Sequence, residues 1–396
     1  MPRVLIVSPF FYPEPISTGK YNTYIAKALI QRGKFVTVCC SHPLYPNWIP
    51  TETNEGFQGM SIYRGGRLLR YPKSPMLRRL FLELWFTFHA LKTIFQLRNH
   101  VDQVVAVFPP SLFVYFIRWA LPRRVSLIGI VHDLQGVLGL SGAGIVKRAF
   151  SSMVKHVETC GFRTCKKLIL VSAGIMRRVV DDYGIDPQKC VVHYPFVTES
   201  DVKSTSDSLV HMFQDGFKHI VYSGALGDKQ NPFELLEIFQ SVVIVRNDVV
   251  CHIFSGGPLF EKVKELLRPE SLGRVLFHDL VAEESLSELF YRSTLHVIPQ
   301  KSGTADAAFP SKLPNILAAG VPIFAITDDN SELSRLVNDS GIGKSCSTWD
   351  RDVVIPLLLE FLNHTERMLR VDNQLNVKDF VDHFFSVEKV IDEIIF

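Results

Sequence analysis

Three short stretches set a lysine close to glycine or serine where a strand gives way to a helix. They are ISTGKY, with Gly19 and Lys20, SGALGDKQ, with Gly224 and Lys229, and FPSKLPN, with Ser311, Lys312, Leu313 and Asn315. Glycine allows a ligand to come close to the backbone, and a helix that begins at such a turn offers unpaired N–H groups and a positive end. In the third stretch Ser311 reads as the N-cap, Pro314 suits the first turn and Gly320 suits the far end. A helix of about two turns is not stable alone. It depends on the packing of Leu313, Ile316, Leu317 and Ala318. Singly, each stretch also reads as an ordinary capped α/β turn. Taken together, with two in one half of the chain, they point to a diphosphate.

Two further pairs sit at apparent strand ends. His132 and Asp133 follow LIGIV directly, where the pair could orient a hydroxyl or move a proton, or only hydrogen-bond at a strand end. His278 and Asp279, in VLFHDLVAEESL, occupy a similar place, where backbone groups could meet a base or merely turn. The one Asp-x-Asp, Asp350 and Asp352, fits a helix N-cap better than a metal pair. No metal is required. The first strand is followed by neither a Gly-x-Gly-x-x-Gly fingerprint nor a Walker-type phosphate loop.

The elements that must position these residues alternate strand and helix. Val4–Ser8, Val36–Ser41, Gln103–Val107, Leu127–Val131 and Lys167–Val171 are β-rich runs of the kind parallel sheets bury, with a helix over Tyr21–Arg32. The alternation restarts at His219–Ser223 and continues through Val250–Ser255, Arg274–His278, Thr294–Pro299 and Pro322–Ile326. Helices lie at about 231–245, 258–267, 283–291 and 311–319 between them. Two such arrays predict two doubly wound domains, with ligands at the carboxyl ends of the strands and a cleft between the domains. The polar VTESDVKSTSDS, within Pro195 to Asp215, reads as the linker.

The 396 residues suffice for two or three domains, and 47% apolar with 21% charged residues is ordinary for a globular chain. The net charge of +3 conceals two opposed halves. Residues 1–196 carry 25 Lys and Arg against 10 Asp and Glu, and residues 197–396 carry 18 against 30. Seven scattered cysteines read as inert thiols of a reduced compartment. The start, MPRVLIVSPFFYP, reads as a strand rather than a signal peptide, and no run reaches bilayer-spanning length. Ser61–His100 holds eight basic residues and one acid, Glu83, around Leu80, Phe81, Leu84, Trp85, Phe88 and Leu91 at helical spacing. Such a helix either faces a core or lies in a membrane interface. No nucleic-acid motif accompanies the charge.

The chain resembles the GT-B glycosyltransferases of retaining family 4, and within it the colanic-acid and O-antigen fucosyl- and aminosugar-transferase branch. PEPISTGKY, SHPLYPNW, PPSLFVYFIRWAL, HDLQGVLGL, VYSGALGDKQNPFELL, IFSGGPLFEKVKEL and FPSKLPNILAAGVPI carry the resemblance, in order along nearly the whole chain. It implies an α/β fold of two Rossmann-like doubly wound domains facing across a cleft. Residues 1–196 would face acceptor and membrane, 197–376 would bind the nucleotide sugar, and 377–396 would be a C-terminal helix returning to the first domain. Gly19 would lie against the donor phosphates or the reacting sugar, with Lys20 beside it. His132 would lie beneath the donor sugar, next to Asp133. Lys229, Ser311 and Lys312 would hold the diphosphate, and Gly224, Gly256, Asp279, Leu280, Leu313 and Asn315 would complete the nucleotide contacts. The chain departs from the family in two places. Ala225 stands where many members have arginine, and Asn315 stands where the second glutamate of the Glu-x7-Glu motif meets the ribose. Ala307 holds the first glutamate position, beside Asp306.

The resemblance implies transfer from a UDP- or GDP-sugar with retained configuration, no metal and no cofactor. The acceptor would be a polyprenyl-diphosphate-linked saccharide, at the cytoplasmic face of a bacterial plasma membrane. Two other readings share the fold: a non-catalytic membrane partner, motivated by Ala225 and Asn315, and a sugar-nucleotide epimerase, which needs acid/base carboxylates that this chain supplies sparsely.

Overall fold

In the computed structural model, residues 3–14, 16–45, 47–53, 56–57, 59–135, 145–198, 208–304, 309–368 and 371–395 are described. The chain divides into two units, Met1–Thr198 with Ser386–Phe396, and Glu199–Phe385.

The first unit is a seven-stranded sheet in the order β3-β2-β1-β4-β5-β6-β7. The strands are β1 (Arg3–Val7), β2 (Phe35–Ser41), β3 (Met60–Gly65), β4 (Gln103–Phe108), β5 (Ser126–Val131), β6 (Lys167–Leu170) and β7 (Cys190–Val192), paired in parallel. Both faces are buried, which is why these strands are nearly continuous apolar runs. On β1, Leu5 and Val7 enter one core while Val4 and Ile6 enter the other. β4 repeats the division, with Val104 and Ala106 against Val105 and Val107. β3 and β7 were not foreseen. β3 is an edge strand whose residues are only half buried or exposed, so its sequence lacks the apolar run.

The helix expected over Tyr21–Arg32 spans Ser17–Gln31. Gly19 and Lys20 therefore lie in its first turn rather than ahead of it. A Cβ on Gly19 would sit 3.1 Å from the Cβ and carbonyl oxygen of Glu14, so glycine lets the helix start close against the preceding loop.

The second unit is a six-stranded parallel sheet in the order β10-β9-β8-β11-β12-β13. Its strands are β8 (Lys218–Ser223), β9 (Val249–Phe254), β10 (Val275–His278), β11 (Leu295–Pro299), β12 (Ile323–Ile326) and β13 (Gly343–Cys346). The edge strand β13, GKSC, was also missed, being too polar to read as a buried strand.

Of the stretch 377–396, only the residues from Ser386 onward belong to the first unit. Val371–Phe384 is a helix of the second unit, packed against the short helix Leu313–Ala318. The returning helix, Val387–Ile395, buries Val390, Ile391 and Ile394 in the core that holds Val4 and Ile6. Full burial of such side chains stabilises by about 1.5–3 kcal/mol each. Its ion pairs to Arg32, from Glu388 at 2.6 Å and Asp392 at 3.3 Å, are solvated and add little.

Candidate functional site

In the second unit the order of the strands reverses between β8 and β11. The chain moves to one side after β8, to β9 and β10, and to the other side after β11, to β12 and β13. Loops that leave the carboxyl ends of β8 and β11 must therefore part, and a crevice is left where ligands of doubly wound sheets bind. A cavity of about 230 Å³ lies there, with Gly224, Lys229, His296, Gln300, Ser311 and Lys312 in its wall.

Local structure explains each position. Gly224 has φ +148°, a conformation that strains any L side chain, and a Cβ on it would lie 3.4 Å from Lys312 Nζ. Glycine thus permits the loop from β8 and Lys312 to meet. Tyr222 hydroxyl donates to the Ala225 carbonyl at 2.7 Å, and the Gly227 N–H donates to Gln230 Oε1 at 3.0 Å, closing the turn. The Lys301 N–H donates to the Lys229 carbonyl at 2.7 Å, so the loops after β8 and β11 are tied together beside the lysine. Ser223 Oγ, at the end of β8, is buried with no partner among the described residues.

The helix after the third lysine spans Leu313–Ala318, with Lys312 at the N-cap position and no side-chain cap. Ser311 is not the cap. The Leu313 N–H donates to the Pro310 carbonyl at 3.1 Å, which keeps Ser311 and Lys312 in a turn ahead of the helix. Gly320, at φ +69°, ends it as a Schellman motif: its own N–H donates to Leu317 and the Val321 N–H donates to Ile316. With six residues this helix has little dipole to offer, and the cationic residues of the cavity wall are Lys229 and Lys312.

Of the sequence-derived residues, Gly224, Lys229, Ser311 and Lys312 come together in the cavity wall. Leu313 does not join them, because it is fully buried with its N–H already used. Asn315, half-buried on the helix, lies outside the wall. Gly256, Asp279 and Leu280 are exposed just beyond the carboxyl ends of β9 and β10, on the β8 side of the reversal. Sequence reasoning missed His296 and Gln300. His296 Nε2 is 3.1 Å from Ser293 Oγ, and burial, followed by the charge of Lys312, pushes its pKa down to about 3. Their only signal was polarity in an otherwise apolar strand, LHVIPQ.

In the first unit the reversal falls between β1 and β4. His132 follows β5, its N–H donating to the Phe108 carbonyl at 3.0 Å. Its ring stacks on Tyr21, with centroids 6.0 Å apart and an interplanar angle of 15°. Nε2 is buried without a partner among the described residues, and burial pushes the pKa down to about 4. The imidazole is therefore neutral at physiological pH, better suited to shape and polarise a ligand than to carry a proton. Asp133 Oδ1 accepts from the Leu134 N–H at 2.9 Å, which turns the chain after the strand.

Two buried carboxylates hold this end in place, and neither was foreseen. Glu14 accepts from the Leu44 and Tyr45 N–H groups at 2.9 and 2.7 Å. Glu158, 1% exposed, accepts from the Gln135 N–H at 2.8 Å and the Tyr183 hydroxyl at 2.7 Å, securing the loop after His132. Asp350 Oδ1 accepts from the Asp352 N–H at 3.0 Å, as a helix start rather than a metal pair. Among the described residues no helix is long and apolar enough to cross a membrane.

Two parallel doubly wound units, with the last helix joining the first unit, define the two-domain GT-B class. Residues 18–201 match the family described as Glycosyltransferase Family 4, and residues 206–373 match Glycosyl transferases group 1. The chain belongs to glycosyltransferase family 4. It is 23% identical over 354 residues, 84% of this chain and 85% of the relative, to WcaI of Escherichia coli (strain K12), described as a colanic acid biosynthesis glycosyl transferase. WaaG, a glycosyltransferase involved in lipopolysaccharide biosynthesis, superposes with a TM-score of 0.71 at 16% identity, covering 99% of both chains. HepE of Anabaena, solved with UDP and glucose, gives 0.66 at 13% identity, covering 100% of this chain and 98% of its own.

Proposed function

We propose that the protein transfers a sugar from a UDP- or GDP-sugar, with retained configuration and without a metal, to a lipid-linked saccharide in bacterial surface-polysaccharide synthesis. The observation that carries this reading is the cavity at the β8/β11 reversal, where Lys229, Lys312 and the Gly224 backbone line one wall. Two cations beside a glycine-opened backbone suit a leaving diphosphate. As the C1–O bond breaks, charge grows on the diphosphate oxygen, and preorganised ammonium groups stabilise that growth. The acceptor oxygen then bonds to C1 from the same face and gives its proton to the departing diphosphate. Gly19, Lys20, His132 and Asp133 are assigned to the reacting sugar and its phosphates. Gly256, Asp279, Leu280 and Asn315 are assigned to the nucleoside. WcaI supports the polysaccharide setting by its description, and HepE supports the nucleotide by its bound UDP.

The lipid acceptor and a peripheral seat at the inner membrane face have their own support. On the helix Pro75–Leu97, Leu77, Leu80, Leu84 and Phe88 are exposed, and Trp119 on the neighbouring helix Leu112–Ala120 is 62% exposed. Arg79, Arg118, Arg123 and Arg124 are exposed nearby in sequence. Exposed apolar side chains with exposed arginines close in sequence fit the interface of an anionic bilayer.

Calorimetric titration with UDP and GDP, beside Lys229→Ala, tests the donor site. Binding of one nucleotide that the variant loses supports it, and absence of binding by either overturns it. Incubation with donor and lipid-linked saccharide then separates the remaining readings. A transferase yields an extended lipid with the donor's anomeric configuration, an epimerase alters the nucleotide sugar without acceptor, and a scaffold consumes nothing.

A further inference from the structure

Three histidines, far apart in sequence, form a chain across the second sheet. His219 lies on β8, His252 on β9 and His278 at the end of β10, three adjacent strands. His219 Nε2 is 3.0 Å from the Gln214 carbonyl, His219 Nδ1 is 2.9 Å from His252 Nε2, and His252 Nδ1 is 3.0 Å from His278 Nε2. The direction of every bond follows from the first. A carbonyl only accepts, so His219 Nε2 carries the proton and its Nδ1, in the neutral ring, accepts. His252 must then donate through Nε2 and accept at Nδ1, and His278 must donate through Nε2. The chain therefore ends on a bare lone pair, His278 Nδ1, to which no described residue donates.

The ring bearing that lone pair is held rigidly. His278 stacks on Phe254, with centroids 4.4 Å apart and an interplanar angle of 20°, and Phe213 stacks on His252 at 4.7 Å. His219 and His252 are buried, whereas His278 is only half-buried at the carboxyl end of its strand. β10 stands two strands from β8, about 10 Å from the lysine-lined cavity at a strand spacing of about 4.8 Å. The ribose and base of a nucleoside diphosphate cover a span of that order.

We infer that His278 reads the nucleobase of the donor, its Nδ1 fixed by the histidine chain as an acceptor for the ring N–H of a uracil or a guanine. Adenine has no ring N–H and offers only its exocyclic amino group, displaced from that position, so the same lone pair disfavours it. The inference rests on the diphosphate site proposed above and gives that site its base selectivity. His252 and His219 are positioning residues, since they set the tautomer without touching the base. Protonation of His278 at Nδ1 would replace the lone pair with a second N–H facing the base. Burial, followed by the nearby His211, lowers the affinity of His278 for that proton, while Asp279 opposes them; Asp215 is the charged group facing His219. Nucleotide affinity should therefore hold at neutral pH and fall on the acid side, below the ordinary histidine range.

Calorimetry with UDP, GDP, ADP and inorganic pyrophosphate tests this on the full chain, from about pH 5 to about pH 8. His278→Gln keeps a donor to His252 but removes the acceptor at the Nδ1 position, and His278→Asn keeps an acceptor there. The expected result is about tenfold weaker binding of UDP or GDP by His278→Gln, with the acid-side decline gone. His278→Asn recovers much of the loss, and pyrophosphate binds all three proteins alike. Equal nucleotide affinity and an unchanged acid profile in His278→Gln would overturn the inference, as would wild-type binding of ADP as tight as that of UDP and GDP. Loss of pyrophosphate binding in His278→Gln would overturn it too, by marking a general structural role. If the wild type binds neither pyrophosphate nor any nucleotide, it is the diphosphate site itself that fails.

Discussion

The two sheets have the same parallel, doubly wound construction and expose opposite chemistry at their carboxyl ends. In the first unit the prominent group is a neutral ring: His132, stacked on Tyr21, with an orphaned Nε2 and a pKa pushed down to about 4 by burial. In the second unit two lysines line the cavity at the strand reversal, close to a glycine of positive φ. Net charge runs the other way, since the half with the cationic cavity is the acidic one. Local placement outweighs net charge here, because charges more than about 10 Å apart on a solvated surface are largely screened. The second unit thus sets cationic side chains at its strand reversal, whereas the first sets a neutral polar ring at the end of β5.

The strongest way to break this contrast is to remove the cations. Lys312→Ala should lower kcat/KM with the nucleotide sugar by about 10²–10³-fold, the loss that follows removal of a preorganised charge from a developing oxyanion. His132→Ala should cost less, about thirtyfold, as expected of a neutral hydrogen-bonding group worth about 2 kcal/mol. The His132 variant should also keep the wild-type pH profile between about pH 6 and about pH 8, because the wild-type ring stays neutral across that range. Steady-state kinetics on both variants reads the difference. An equal loss in the two would put the charge-sensitive step in both units.

Acid sharpens the contrast in another way. His252 and His296 are each pushed to about 3 by burial, and His132 to about 4. The unfolded chain takes up these protons near pH 6.5, while the folded chain refuses them until far lower pH. Stability is thus intact above about pH 6.5 and falls below it, by about 1.4 kcal/mol per pH unit for each such histidine. At about pH 5 the second unit, with two strongly depressed histidines, should lose about 4 kcal/mol and the first, with one, about 2 kcal/mol. The milder depressions at His42 and His89 in the first unit are matched by His219 and His278 in the second. Hydrogen exchange followed by mass spectrometry should show the second unit opening first as pH falls. Simultaneous opening would refute the assignment.

The same contrast marks how much was legible in the sequence. Buried parallel strands announce themselves as runs such as RVLIV and LIGIV, since both faces of the sheet meet a core. The edge strands β3 and β13 gave no such run, because edges tolerate polar residues. Lys229 and Lys312 stood out as lysines close to glycine or serine, a local pattern. Ser311 was read as a cap because capping is also local, but the turn closed by Pro310 moved the N-cap one residue on, to Lys312. Contacts made only across strands were invisible: the histidine chain joins residues 33 and 26 positions apart. The carboxylate clamps of Glu14 and Glu158 reach 30 and 23 positions along the chain, and nothing in the local sequence singles out either acid.

The smallest expected effects concern the basic half, where apolar and charged contributions to a membrane surface can be told apart. Phe88 is 73% exposed, and Phe88→Ser should weaken sedimentation with vesicles about tenfold, whether they are zwitterionic or anionic, because the lost apolar contact does not depend on headgroup charge. Arg123→Ala should weaken binding about fivefold on anionic vesicles only, the effect of about 1 kcal/mol per basic residue near a negative surface, and added salt should erase it. Neither variant should alter UDP or GDP binding, since neither residue belongs to the unit that carries the lysine cavity. If Arg123→Ala acted equally on both vesicle types, the arginine would be packing rather than meeting headgroups. The excess of positive charge in residues 1–196 would then need a different partner, such as the diphosphate of the lipid-linked acceptor, and titration with soluble pyrophosphate against Arg123→Ala would show it.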